Sequence, residues 1–470
     1  MSTTLSASPA ADAASLRRLV VECGLLLRLA APLAAAFVGQ LAIGTTDMLM
    51  LGWYGPEALA ASALALSLFN PVMLLGVGIG TAITPLAASA IAGRRVREMR
   101  RVVRQGLWAA VPFTALALPV FVLAEPLLVA VGQEPALAGQ AQSYLHGAMG
   151  GLFAILVFNV LRSYVTALER TGVILLITMA AVPLNALVNY ALIFGRFGLP
   201  ELGVFGAGLG SAITQAAMAL AMVRVVARRA PFRRHAIFGR FWRSDWSVFR
   251  RIHRIGIPIG LSILLEVTIF GASAQIMGWI GTLQLAAHQI ALQLASITFM
   301  VPLGVGMAVT ARVGQAHGRG DRDGVALAGW AGMALAGSFM ALCGLVFWLT
   351  PAPLVRPFLD GSEAAPVVLE FAVGYLALAA AFQIADGLQV AAAHALRGLQ
   401  DTTAPMWIAG FGFWGVGLPV GYLLAMHTPL EGRGVWTGLA LGLAVVALLL
   451  VVRFHRTTRR SPALDLGPRA

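Results

Sequence analysis

The chain has 470 residues, of which 59% are hydrophobic and 11% charged, with a mean hydropathy of +0.83. A soluble core cannot hide that much apolar surface, so the composition requires lipid as solvent. A transmembrane barrel would need alternating segments of about ten residues, and none occurs, which leaves an all-helical membrane protein. The formal net charge of +13 would suggest nucleic acid in a soluble protein. Here the basic residues, all Arg and no Lys, collect between apolar stretches, and no nucleic-acid partner is expected. Cys23 and Cys343 are too few for a disulfide framework and read as free, buried thiols. Residues 1–15 are small and polar, and no cleavable signal pattern precedes the first apolar run.

In chain order, spans are expected near 29–51, 60–91, 106–128, 142–161, 173–195, 204–223, 255–279, 285–311, 326–350, 367–393, 403–427 and 435–453. Arg94, Arg95, Arg97, Arg100, Arg101 and Arg104 follow the second, and a denser cluster from Arg224 to Arg254 follows the sixth. The alternate connections carry Glu125, Glu134, Glu201, Asp360 and Glu431. The positive-inside rule then puts both termini in the cytoplasm. The expected organisation is a cytoplasmic tail at 1–24, a six-helix lobe at 25–223, a linker at 224–254, a second lobe at 255–453 and a tail at 454–470. Aromatic residues at helical spacing in the linker suit an amphipathic helix on the inner surface.

A shift of 226 residues superposes APLAAAFVGQLAIGTTDMLMLGWYG (31–55) on IPIGLSILLEVTIFGASAQIMGWIG (257–281) without a gap. It pairs Gly78, Gly80 and Thr84 with Gly304, Gly306 and Thr310. This is an internal duplication. Six helices per copy give both copies the same sense across the membrane, a pattern found in transporters whose substrate site lies between the repeats. Trp53 and Trp279, at equivalent helix ends, read as interfacial anchors, and the pairs Gly76/Gly80 and Gly206/Gly210 as close helix contacts.

Three acids lie well inside spans: Asp47, Glu266 and Asp386. A carboxylate at the bilayer centre costs roughly 2.5 kcal/mol or more, so each is a functional candidate. Counting at about 1.5 Å per residue from the nearest Arg puts Glu266 about 18 Å and Asp386 about 16 Å deep, and Asp47 about 28 Å, with Asn189 at Asp47's level. Asn185 shares a helix face with Asn189. Under the 226-residue shift Glu266 meets Gln40 and Asp47 meets Ser273, so neither acid is copied. A buried acid that can hold a proton, Na⁺ or a cationic compound has the chemistry a cation-coupled antiporter needs.

At these residues the chain resembles the multidrug and toxic compound extrusion (MATE) family, in its NorM-like branch. EVTIFGASAQIMGWIGTLQLAAHQIALQLASITFMVPLGVGMAVTARVGQAHGRGD (266–321), QIADGLQVAAAHALRGLQDT (383–402) and PLNALVNYALIFG (183–195) carry the resemblance. It implies two six-helix lobes that export cationic, amphipathic compounds in exchange for Na⁺ or H⁺, with no other cofactor. It implies cation coupling at Glu266 and Asp386, a possible Na⁺ site, and at Asp47. Gln289, Asn185, Asn189, Ser211, Gln40, Phe382 and Phe299 are the implied cavity residues. His288 lies in the family segment near a helix end, where a packing or interfacial role is expected.

A lipid-linked precursor flippase of the same superfamily is the first alternative; it would need arginines facing its cavity, and every Arg reads as lying at or beyond a helix end. An intramembrane enzyme using paired carboxylates is opposed by the duplication and by the lack of a nucleophile or metal motif. A passive channel is the third. The chain reads as a secondary transporter, not an enzyme, and as a monomer that closes its own cavity.

Overall fold

A computed structural model describes residues 9–239, 241–359 and 363–460. Among them are twelve helices long and apolar enough to cross a membrane: α1 Arg17–Tyr54, α2 Pro56–Ala92, α3 Val96–Val122, α4 Pro135–Ala167, α5 Gly172–Ile193, α6 Gly203–Arg228, α7 Trp246–Ile280, α8 Thr282–Arg319, α9 Arg322–Leu349, α10 Ala365–Gly398, α11 Thr403–His427 and α12 Gly432–Arg459. No strand occurs among the described residues. In lipid a backbone must satisfy its own hydrogen bonds, and the helix does so within one segment. The chain is therefore a multi-pass membrane protein. The first helix starts at Pro9, well before the expected span.

Backbone geometry repeats with the sequence. Gly55 and Gly281, 226 residues apart, precede α2 and α8 with φ/ψ of 162/154 and 168/155. Arg94 and Gly320, also 226 apart, both take positive φ, 57 and 72. Glu169 and Gln400 do likewise at 58 and 63, now 231 apart, so the second copy is five residues longer by that point. Side chains follow suit. Thr84 donates to the Ser163 carbonyl at 3.5 Å, and its counterpart Thr310 donates to the His394 carbonyl at 2.9 Å. Trp53 and Trp279 are both exposed, as interfacial anchors would be.

Two compact units can be distinguished. One comprises 35–271 and 400–411; the other comprises residues up to Ala34, 272–399 and those from Gly412 on. The expected lobes at 25–223 and 255–453 keep the spans 29–51 and 255–279 whole, whereas these divisions fall inside both α1 and α7. The packing within each unit gives the reason. A Cβ on Gly304 would lie 2.7 Å from the Ala34 amide and 2.9 Å from the Ala30 carbonyl, so only glycine lets α8 approach the first part of α1. Gly78 gives the same approach of α2 to Gly256 and Gly260 of α7, and each of these residues is 226 positions from its counterpart in the other contact. A fork from Arg312 to Glu22, at 2.8 and 2.7 Å, adds a charged contact between α8 and the first part of α1.

The linker expected at 224–254 is helical only at its ends, where α6 finishes and α7 begins at Trp246; between them the described residues make a single 3₁₀ turn, Phe232–His235, and no α-helix. Arg97, Arg100, Arg101, Arg104 and Trp108 lie three or four residues apart along α3, hence on one face. That face and its edge take the linker's carbonyls. Arg100 donates to His235 O at 2.6 Å, Arg104 to Ile237 O at 2.6 Å, Gln105 to Arg243 O at 3.1 Å and Trp108 to Phe241 O at 2.8 Å. The backbone acceptors an amphipathic helix would use internally are held by α3 instead.

One end of this strap is sensitive to protons. His235 Nδ1 meets the Tyr164 hydroxyl at 2.6 Å, and the Phe232 and Tyr164 rings pack against each other. Burial, and then the Arg100 charge, hold the His235 imidazole below its ordinary value. The unfolded chain therefore binds a proton first as pH falls below about 6.5, while the docked strap resists it. Docking is fully stable above that value and weakens as pH falls toward the depressed folded value. Hydrogen exchange across 232–245, corrected for intrinsic rates, should be faster at pH 5 than at pH 8, and His235→Gln should flatten the difference. Equal protection at both pH values would remove this role.

Candidate functional site

The structure brings Asp47, Asn185, Asn189 and Ser211 together within the unit 35–271. Asn185 and Asn189, one turn apart on α5, both donate their amide nitrogens to Asp47 Oδ1, the first at 3.0 Å. Ser211 of α6 donates to Oδ2 at 2.7 Å. Both asparagines are fully buried. Three neutral donors thus hold one ionisable group, and charge-assisted hydrogen bonds of this kind are about twice as strong as neutral ones. The amide oxygens Asn185 Oδ1 and Asn189 Oδ1 have no hydrogen-bond partner. If Asp47 takes a proton, its new O–H needs an acceptor, and these two unused oxygens belong to residues already bonded to it.

Gly210 makes room for this arrangement. A Cβ there would collide with Asn189 Oδ1. Gly210→Ala must push the amide off Asp47, and overpacking of this kind costs about 1–3 kcal/mol. A thermal melt lowered by several degrees together with weaker drug binding is the expected result; an unchanged melt would mean that Asn189 moves freely. Tyr144 of α4, buried and lying against Ser211 and Asp47, is a member of the cluster that carried no signal in the sequence.

Asp386, in the middle of α10, is buried, with Gln383 and Gln389 one turn before and after it. Gln383 donates to Thr298 at 2.7 Å, yet Gln383 Oε1 and Gln389 Oε1 are both buried without a partner. Such oxygens on the same helix face as a carboxylate suit a hard cation, which prefers oxygen ligands. Among the described residues no three His, Cys, Asp or Glu side chains converge as metal ligands. Oxygen donors for a cation here would therefore come largely from amides.

Glu266 is half-buried on α7 and belongs to the unit 35–271, whereas Asp386 belongs to the other. Gln40 and Phe299 are half-buried and Gln289 is exposed. Phe382 is buried edge-on against Trp436, with ring centroids 6.0 Å apart, and so contributes through packing.

Of the two roles expected for His288, packing or interfacial, the structure shows packing: it is fully buried, its Nε2 lies 3.3 Å from Ser273, and its ring packs against Trp436. Ser273 is the counterpart of Asp47 under the 226-residue shift, so the same place in each copy holds a different polar pair. One sequence expectation needs correction: not all arginines lie at helix ends. Arg162 sits five residues inside α4, buried, with its guanidinium 5.3 Å from the centre of the Phe37 ring. Cation–π contact and burial let the helix run to Ala167 past a residue that reads as an end signal.

Twelve spans, a six-helix duplication and intramembrane carboxylates define a transporter class of membrane protein. The MatE family model matches residues 32–191 and 258–423. A probable multidrug resistance protein NorM from Mesorhizobium japonicum is 46% identical over 447 residues, 94% of this chain and 95% of that one. A protein of the same description from Brucella suis is 41% identical, covering 93% of each. A solved outward-facing structure of a multidrug resistance MATE family transporter of the MOP superfamily superposes with a TM-score of 0.85 at 18% identity, covering 93% of this chain and 96% of that one. The chain belongs to the multidrug and toxic compound extrusion (MatE) family, among NorM-like proteins.

Proposed function

We propose that this chain, a transporter and not an enzyme, is a multidrug efflux protein that exchanges cationic, amphipathic compounds for Na⁺ or H⁺ by alternating access. It acts as a monomer in the bacterial inner membrane with both termini in the cytoplasm. The observation that carries this reading is Asp47: a carboxylate within a membrane span, held only by the neutral donors of Asn185, Asn189 and Ser211 among its hydrogen-bond partners. Its negative charge is balanced by none of them, so the site favours a positive occupant, whether proton, metal cation or drug.

The chemistry of exchange follows from what each occupant does to the cluster. Ionised Asp47 accepts from three donors and fixes α1 against α5 and α6. Protonated Asp47 must itself donate, which turns one donor away and recruits an unused amide oxygen. Asp386, with Gln383 and Gln389, supplies a second cation site, and Glu266 contributes a further intramembrane carboxylate. Coupling requires the cation and the drug to prefer different arrangements.

Reciprocity tests the reading. If the coupling cation weakens binding of tetraphenylphosphonium by some factor, the drug must weaken cation binding by the same factor. Titration of the purified protein with tetraphenylphosphonium across Na⁺ concentration and pH should show falling affinity along one of the two axes. Affinity independent of both would refute cation coupling.

The flippase reading gains one observation, Arg162, whose Nε has no acceptor. A single buried guanidinium packed on an aromatic ring is a poor cradle for a pyrophosphate, and the exporter reading stands ahead of it.

A further inference from the structure

The strap that joins α6 to α7 leaves a concave basic pocket against the first turns of α3. Its walls carry Arg97, Arg100, Arg101 and Arg104 from α3, and Arg243 and Asp245 from the strap, so that five guanidiniums face one carboxylate. Asp245 offsets little of this charge, reaching Arg101, whose side chain is exposed, at only 3.6 Å. It is ionised, because the Ser247 hydroxyl at 2.6 Å, above all, holds its carboxyl below the usual range.

Arginines free to move would spread apart to relieve their repulsion. Here two of them are fixed. Arg100 and Arg104 spend their Nε groups on the carbonyls of His235 and Ile237, which sets both guanidiniums in the wall. A topological signal needs only a count of basic residues near a span, not a concavity that holds them together. Trp242 on the strap and Trp246 at the start of α7 are 80% and 64% exposed, and exposed tryptophans next to a span mark the level of the lipid headgroups.

We infer that this pocket binds a phosphate-bearing anion of more than one negative charge, supplied by the headgroup of an anionic lipid. Guanidinium groups match phosphate oxygens with paired N–H donors, and basic pockets at the membrane surface take such headgroups. A bound headgroup would bridge α3 and the strap, and so tie the connection between the two sequence copies to the lipid around it. The inference goes beyond the exchange reaction and does not depend on which cation drives it.

The test uses the purified full-length protein and native mass spectrometry. Wild type and the double variant Arg97→Gln/Arg243→Gln are titrated with cardiolipin, phosphatidylcholine and inorganic pyrophosphate. Neither substituted residue holds the strap's carbonyls through its side chain in the contacts above, so the fold should survive, and a thermal melt checks this. A second double variant, Arg319→Gln/Arg322→Gln, removes equal charge outside the pocket. Cardiolipin should bind the pocket variant about 30-fold more weakly, each arginine contributing about fivefold, with the control double variant unchanged and phosphatidylcholine indifferent to all three. Pyrophosphate binding with the same pattern and no cardiolipin preference would overturn the lipid assignment in favour of a soluble anion. Equal losses in both double variants, or cardiolipin binding that ignores the pocket arginines, would overturn the site altogether.

Discussion

Replacing Asp47 with Asn should abolish uphill drug efflux while leaving the protein folded and inserted. The carboxylate accepts from Asn185, Asn189 and Ser211, and hydrogen bonds to charged groups contribute about 1.5–3 kcal/mol each. Asparagine keeps one acceptor oxygen but presents its own amide hydrogens to groups that already donate. Even one interaction of that size corresponds to tenfold or more in affinity. Efflux of tetraphenylphosphonium against its gradient is therefore expected to fall at least about tenfold, and Asp47→Glu, which keeps the charge but lengthens the reach, should fall between the two. Both variants should appear in the membrane at wild-type levels, because a surviving Asn189–Ser211 neighbourhood still packs α5 against α6.

Asp386→Asn is the second large effect, and its signature differs. Its helix face carries two buried amide oxygens, Gln383 Oε1 and Gln389 Oε1, that lack partners. Removing the charge takes away the strongest oxygen donor from a cation site. Drug affinity in Asp386→Asn should become insensitive to the coupling cation, a change of about tenfold or more at saturating cation. The double variant Glu266→Gln/Asp386→Asn measures whether the two acids are energetically coupled, since independent residues give additive losses. Fully additive losses would assign the two acids to separate sites.

Much of the Asp47 cluster was legible because its members obey local rules. An acid inside an apolar span stands out by cost, and Asn185 and Asn189 share a face by their spacing alone. Ser211 came from family resemblance, since a lone serine in a helix has no cost to betray it. Tyr144 was invisible for the same reason. Gln383 and Gln389 carry no signal in the sequence because their interest lies in unsatisfied Oε1 atoms, and satisfaction is a property of the folded neighbourhood.

The duplication was legible in fine detail, down to the glycines that precede α2 and α8, because a repeated sequence repeats its backbone. The linker misled because helical spacing of aromatics predicts a face without saying what competes for the backbone. There the competitors were Arg100, Arg104, Gln105 and Trp108, side chains from more than a hundred residues earlier in the chain. Arg162 misled in the opposite way. Its charge reads as the end of a span, and only the Phe37 ring from another helix explains how the span continues past it.

Transport in purified proteoliposomes tests the central claim most directly. Vesicles loaded with tetraphenylphosphonium receive either an inward Na⁺ gradient or an inward proton gradient, with wild type, Asp47→Asn and Asp386→Asn compared side by side. The account predicts that one of the two gradients drives wild-type export against the drug's own gradient, and that neither variant can use it. Export that proceeds at full rate in both variants, or that runs only down the drug gradient whatever cation is imposed, would contradict it.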